Sequence, residues 1–381
     1  MFTMRWLGFI LGISVIASSA AACYNDNDTY LTELRDNLDL TNAIIGRFTL
    51  YPPEYYKKRI EIQTEILKKD PNNLEAYDNI SVAFDRIGEG DIALKWIREK
   101  RKHLINAPTL QLYSTEANEG TFLIVRWIRG HKTGDLTDAI ESEKHIAKAL
   151  QINPNAHFGR EFAQLYCIRA MIQSGKVEDW MGTFTQNLIF IADHDHIDRK
   201  KLRYGIAGMM VLGAAWNAPV FIQAIGELVP EEGQVADLCR QKLRFLTHDD
   251  DVYKAEHDGQ DVEKAFPIKA GRVVHGGDNF KIRELLKNGY LFRETQADWI
   301  VKQVAKGLHP DKGDDIWKGY QEVPAVPKEQ LTNSTVFSRA GTFLVFVAMQ
   351  TLGCGCIIPI VIVYVIIRKI IVTTHRRRRG Y

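Results

Sequence analysis

The chain has 381 residues, 45% hydrophobic and 25% charged, an ordinary globular balance that can bury a sizeable core. Its 49 basic and 47 acidic residues are unevenly placed: the ends Met1–Cys23 and Ala340–Tyr381 carry seven basic residues and no acidic one, which leaves 42 against 47 between Tyr24 and Arg339, a formal charge of −5. A mildly acidic body argues against a nucleic-acid surface, and the overall pI of about 8.1 is a product of the tail.

Met1 to Ala22 has a basic Arg5, an apolar run from Trp6 to Ala17 and small residues up to Cys23, the layout of a secretory signal too short to span a bilayer comfortably. Two processing outcomes fit. Ala20-Ala21-Ala22 suits an ordinary signal peptidase, which leaves Cys23 exposed or disulfide-paired. A Cys directly after small residues also resembles a bacterial lipoprotein box, with Ala20 where that box has Leu, and makes Cys23 a lipidation site. Residues 23–53 read as an N-terminal arm, polar and acidic from Tyr24 to Asp39.

From Glu54 to Lys69, Tyr55, Ile60, Ile62, Ile66 and Leu67 predict a helix whose first turn takes Pro52-Pro53. Asp70-Pro71-Asn72-Asn73 stops it, because Pro71 biases Asp70 away from helical dihedrals. Leu74, Tyr77, Ile80, Ser81, Phe84 and Ile87 then recur at helical spacing, as do Ile92, Ala93, Trp96 and Ile97 after Gly88-Glu89-Gly90-Asp91. Two helices joined so tightly lie antiparallel, and Ser81 and Ala93 allow close backbone approach.

Tyr77, Ile80, Ser81, Phe84, Gly88, Asp91 and Ala93, framed by Asp70 to Asn73, resemble the tetratricopeptide repeat with its period of roughly 34 residues. Lys100 departs from that family, standing where a small residue is usual. The resemblance implies an all-α fold, an α-solenoid of antiparallel helix pairs, over 54–247. A helix from about Thr109 to Gly130, Gly134-Asp135 before Ala139-Ile140, and Ile152-Asn153-Pro154-Asn155 form a second unit. A third runs from His157 to Gln173 and from Val177 to Ala192 across Ser174-Gly175-Lys176. Arg199–Trp216, Ala218–Val229 and Glu231–Thr247 continue the helical pattern.

The concave face of such arrays, lined by each repeat's first helix, is the usual binding surface. The resemblance places Glu75, Asp78, Asn79, Val82, Asp85 and Arg86 on it. Asp78 and Val82 replace the Lys and Asn with which chaperone-binding relatives clamp a peptide carboxylate. A groove of this acidity implies basic or neutral peptide partners.

Residues 248–320 form a C-terminal part. Gly-rich 249–280 has few apolar positions and is expected as loop outside the array, and Lys281–Lys306 returns to helix. His309-Pro310-Asp311-Lys312 copies the tetrapeptide of J-domain co-chaperones, but Gly313 and Gly319 leave no room for the long helix that such domains place after it, so the segment reads as a helix end with a Pro turn. The run Asp193 to Asp198 packs five potential metal ligands into six positions without a metal-site spacing and reads as a charged loop. Cys167 and Cys239 sit in apolar helical surroundings, as buried free thiols do. Trp96, Trp127, Trp180, Trp216 and Trp299 are expected as core. No GxSxG, phosphate loop, HExxH or paired-carboxylate motif occurs, so the sequence asks for no catalytic residue, cofactor or metal.

Residues 321–340, with Pro324 and Pro327, read as a linker. Phe343–Ile367 is long and apolar enough to cross a bilayer, and the basic residues of 368–381 place that side in the cytoplasm. Together the segments predict a single-pass protein of a bacterial inner membrane with its body outside the cytoplasm, a scaffold for envelope proteins. The alternative is an envelope enzyme or assembly factor with its activity in 249–320.

Overall fold

A computed structural model describes residues 40–326, apart from 131–133, 155–158, 177–179, 214, 232, 251–252, 254–259 and 270–276. The expected signal, Cys23, the acidic arm 24–39, the span 343–367 and the basic tail lie outside the described residues. Among those described the chain is all-helical, and no helix there is long and apolar enough to cross a membrane.

The helices are α1 (Leu40–Ile45), α2 (Pro53–Lys69), α3 (Leu74–Arg86), α4 (Gly90–Arg101), α5 (Thr109–Arg129), α6 (Thr137–Ile152) and α7 (Arg160–Ser174). They continue as α8 (Trp180–His194), α9 (Arg199–Gly213), α10 (Pro219–Leu228), α11 (Gly233–His248), α12 (Val262–Ala265) and α13 (Gly277–Ala305), with a 3-10 turn at Pro310–Lys312. Each helix from α2 to α7 packs on the next, α3 also reaches α5, and α7 carries the order on to α9.

Local chemistry sets these boundaries. Pro53 opens α2, and Asp70 closes it with its N–H on the Ile66 carbonyl. Asn73 caps α3 by accepting the Ala76 N–H at 3.0 Å, and the Tyr77 hydroxyl donates to the Pro71 carbonyl at 3.1 Å, which pins the turn to the helix it starts. Gly88, at φ +95°, ends α3 in the left-handed conformation that glycine tolerates best. On α3 and α4 the side chains of Tyr77, Ile80, Ala93 and Ile97 are buried, with Trp96 tilted against Tyr77 at 5.9 Å.

The main core lies further along, where α7 to α11 pack, and it includes Trp127, Trp180 and Trp216 as the sequence predicts. It also takes in two stretches expected outside. Leu40, Ala43, Ile44, Ile45 and Phe48, assigned to the arm, are buried, and α1 packs on α9, α11 and α13. The reason is a short apolar helix, too brief for periodicity to register in a polar context. Val262, Phe266 and Ile268, from the Gly-rich stretch expected as outer loop, are buried too, with Ile268 and Cys239 both beside Gly226.

The long helix α13, 29 residues and therefore about 43 Å, joins parts of the body distant in sequence. Around its middle it packs on α11, where Tyr290 meets Trp216 and Phe245 at ring distances of 4.8 and 5.0 Å. At Gly289 it comes so close to α1 that a Cβ would collide with the Ile45 carbonyl. Near its end, Ile300 joins Tyr55, Tyr56 and Ala83 of α2 and α3 in a separate cluster. Residues of the expected linker lie on the body: Arg47 donates to Glu322 at 2.9 Å and to the Val323 carbonyl at 2.6 Å.

Candidate functional site

The expected binding face does not point outward. Helix α3 packs on α2, α4 and α5, so most of its circumference is enclosed. Glu75 is exposed and Arg86 half-buried, whereas Asp78, Asn79, Val82 and Asp85 are buried. Val82 sits in an apolar cluster with Ala93, Leu94, Ile97 and Phe122. These four positions are therefore corrected from groove lining to interior.

The two buried acids are neutralised within the chain. The Asp78 carboxylate accepts the Lys100 ammonium at 2.6 Å, the Ser114 hydroxyl at 2.9 Å and the Asn118 amide at 3.0 Å. Burial pushes the Asp78 carboxyl up and the Lys100 ammonium down, and the ion pair with its flanking hydrogen bonds opposes both shifts. Asp85 faces Arg129 at 3.3 Å and is fully buried. The acidic groove inferred from Asp78 and Asp85 is thus an internal charge balance, and with it falls the stated reason for preferring basic partners. Lys100, the departure from the repeat pattern, and Asp78, the departure from the clamp, are two halves of one contact across the α3–α4 hairpin. A lysine at a position that calls for a small residue, with an acid one helix earlier, was the signal for it.

The polar line continues on the next helices, where the Gln164 amide of α7 donates to Thr121 of α5 at 3.0 Å and Ser142 of α6 donates to the Gly120 carbonyl at 2.6 Å. On the other side of α5, Glu116 is 4% exposed yet accepts Arg101 at 2.7 Å, His145 at 2.6 Å and Lys148 at 2.7 Å. Burial raises its carboxyl, but the bonds from His145, Arg101 and Lys148 outweigh that and hold it well below the usual carboxylate range. Nothing in the spacing of Glu116 marks it in the sequence, because its partners come from other helices.

The His309 to Lys312 tetrapeptide forms the expected Pro turn, and its polar groups are spent inside the chain. Asp311 accepts Arg59 of α2 at 3.0 Å (Nε) and 2.8 Å (Nη2), and Gln63 at 2.7 Å. His309 is fully buried and stacks on Tyr55, ring centroids 4.3 Å apart. Its Nδ1 accepts the Asp311 N–H at 3.1 Å, so the neutral ring carries its proton on Nε2 and donates to the Tyr55 carbonyl at 3.2 Å. Burial, with the nearby Arg59 cation, lowers the His309 pKa to about 4 against the opposing pull of Asp311.

The charged run at 193–198 works as a loop and cap: Arg199 donates to Asp193 at 2.8 Å, and Asp198 accepts the Lys200 N–H at 2.8 Å. Cys167 and Cys239 are buried free thiols, as the sequence predicts, and burial pushes both upward. A cavity of about 360 Å³ lies between α11 and α13, lined by Gln241, Arg244, Phe245, His248, Asp249, Arg283 and Leu286. Arg244 is held by Glu263 at 2.7 Å, and Arg283 pairs with Asp249.

The chain matches no family model, no curated protein and no solved structure.

Proposed function

We propose that the chain is a membrane-anchored adaptor: an α-solenoid body of tetratricopeptide type, held outside the cytoplasm of a bacterial cell by the apolar stretch 343–367, with the basic tail inside. The observation that carries this reading is the unbroken order in which α2 to α7 each pack on the next helix. Such an order builds a long preordered surface without a reaction centre. The partner is another envelope protein, and tethering raises its local concentration. Glu75 is the one of the six groove positions that is exposed, so partner contact along α3 runs past it. Cys23 is a lipidation site if the leader is cut directly before it. The test is affinity capture by the full chain in detergent. Recovery of one envelope protein in stoichiometric amount supports the adaptor, and its absence opposes it.

The second reading, an envelope enzyme or assembly factor, rests on the cavity between α11 and α13, whose lining residues Asp249, Arg283 and Leu286 fall within 249–320. Loss of function in an Arg283→Ala chain that retains its partner favours this reading over the first.

A further inference from the structure

The segment after α13, residues 306–320, is a strap laid on α2. Its backbone bonds run within the segment and to α13: Lys312 N–H to the His309 carbonyl at 3.0 Å, His309 N–H to the Asp314 carboxylate at 2.9 Å, and the Trp299 indole N–H of α13 to the Ile316 carbonyl at 2.6 Å. Its hold on α2 runs through the His309 ring and the Asp311 carboxylate. The floor beneath is aromatic and cationic. Tyr51 and Tyr55 stack at 4.2 Å and Tyr55 meets Tyr56 edge-on at 5.5 Å. Arg59 lies over the Tyr55 ring at 5.0 Å and Arg86 over Tyr56 at 5.9 Å. Ile316 of the strap and Ile300 of α13 complete the apolar contact.

A contact centred on a buried ion pair fixes register better than it stabilises, because both charges regain hydration when it opens. The Arg59–Asp311 pair, with side chains 0% and 1% exposed, is of that kind. The strap leads directly into residues 321–324, which Arg47 and Asn288 hold through Glu322, Val323 and Pro324.

We propose that this face of α2 is a docking surface, that the strap is its built-in reversible occupant, and that the partner displacing it is a protein segment with the strap's own chemistry: a flat ring followed two residues later by a carboxylate. Arg59 and Gln63 take the carboxylate and Tyr55 takes the ring. The strap therefore keeps the face covered until a segment of this kind competes for it. The inference deepens the adaptor reading by giving its partner a chemistry, and its first test needs no partner.

Hydrogen exchange on the full chain in detergent is that test. Amides of 306–320 are expected to exchange through a local opening, at least about 100-fold faster than those of α3 to α5, and Asp311→Asn is expected to speed the strap about 100-fold further while α3 to α5 stay unchanged. The second test adds a fluorescent peptide of residues 305–320. It is expected to bind the Asp311→Asn chain at least about 10-fold more tightly than wild type, and to lose that binding when Arg59→Gln is added. Exchange of the strap only with global unfolding overturns the proposal, and this wild-type result decides the matter even where the variants do not fold. Peptide binding indifferent to Arg59 overturns it as well. Dimers of the Asp311→Asn chain by light scattering would assign the face to a second copy's strap and overturn the separate partner. Failure to capture an envelope protein would count against the adaptor reading while leaving the exchange result standing.

Discussion

Replacing Lys100 with Met isolates the contact that ties α3 to α4 and α5. Lys100 is fully buried and Asp78 is 4% exposed, so the substitution leaves a carboxylate out of water with only the neutral donors Ser114, at 2.9 Å, and Asn118, at 3.0 Å. Removing one partner of a buried pair costs about 3–5 kcal/mol, because the remaining charge is uncompensated. At roughly 2–4 °C per kcal/mol for a body of this size, the melting temperature falls by about 6–20 °C. The double variant Asp78→Leu/Lys100→Met removes both charges and returns to within about 1–2 kcal/mol of wild type, since apolar replacements of buried pairs are close to neutral. Thermal and urea unfolding of the four chains of this cycle, followed by circular dichroism, gives the coupling energy directly. A loss below about 1 kcal/mol for Lys100→Met, or a double variant as weak as the sum of the singles, would refute the buried pair.

Acid should weaken the strap. The folded His309 pKa of about 4 lies below the ordinary 6.5, so the unfolded chain binds more protons between these values and stability falls as the pH drops through that window. The loss between pH 7 and pH 5 is about 2 kcal/mol, and His309→Gln should flatten the slope measured by denaturant unfolding. Asp311 is lowered instead, with Arg59 opposing the effect of burial, so its stabilisation is present above 3.8 and disappears only below that pH. Gly289→Ala should destabilise the body despite a helix-propensity gain of about 1 kcal/mol, because the new methyl meets the Ile45 carbonyl, and a rise in melting temperature would show that α1 and α13 do not touch there. Cys167 and Cys239, at 1% and 0% exposure, should resist iodoacetamide in the native chain and label only on unfolding, as read by peptide mass spectrometry.

Much of the helix order was legible in the sequence because amphipathic spacing and turn chemistry are local. Asp70-Pro71-Asn72-Asn73 and Gly88 mark their boundaries within a few residues of where α2, α3 and α4 end or begin. What the sequence hides is whichever surface a distant segment covers. Periodicity gives α3 an apolar stripe and leaves its opposite side looking solvated, yet Asp78 and Asp85 are satisfied by Lys100 and Arg129 from other helices. The short apolar run of α1 and the buried Val262 and Ile268 escaped for a related reason. Each is anchored by residues far along the chain, and neither is long enough to display a period. The tetrapeptide at 309–312 shows the limit of motif reading, since its His and Asp serve Tyr55 and Arg59 of the same chain.

The adaptor reading meets its most direct test in cross-linking of the full chain within native membranes, followed by purification and quantitative mass spectrometry. An adaptor should carry one envelope protein at a fixed ratio to the chain, retained in an Arg283→Ala variant whose cavity is altered. Absence of any protein at a fixed ratio, together with a cellular activity that Arg283→Ala abolishes, would contradict that reading.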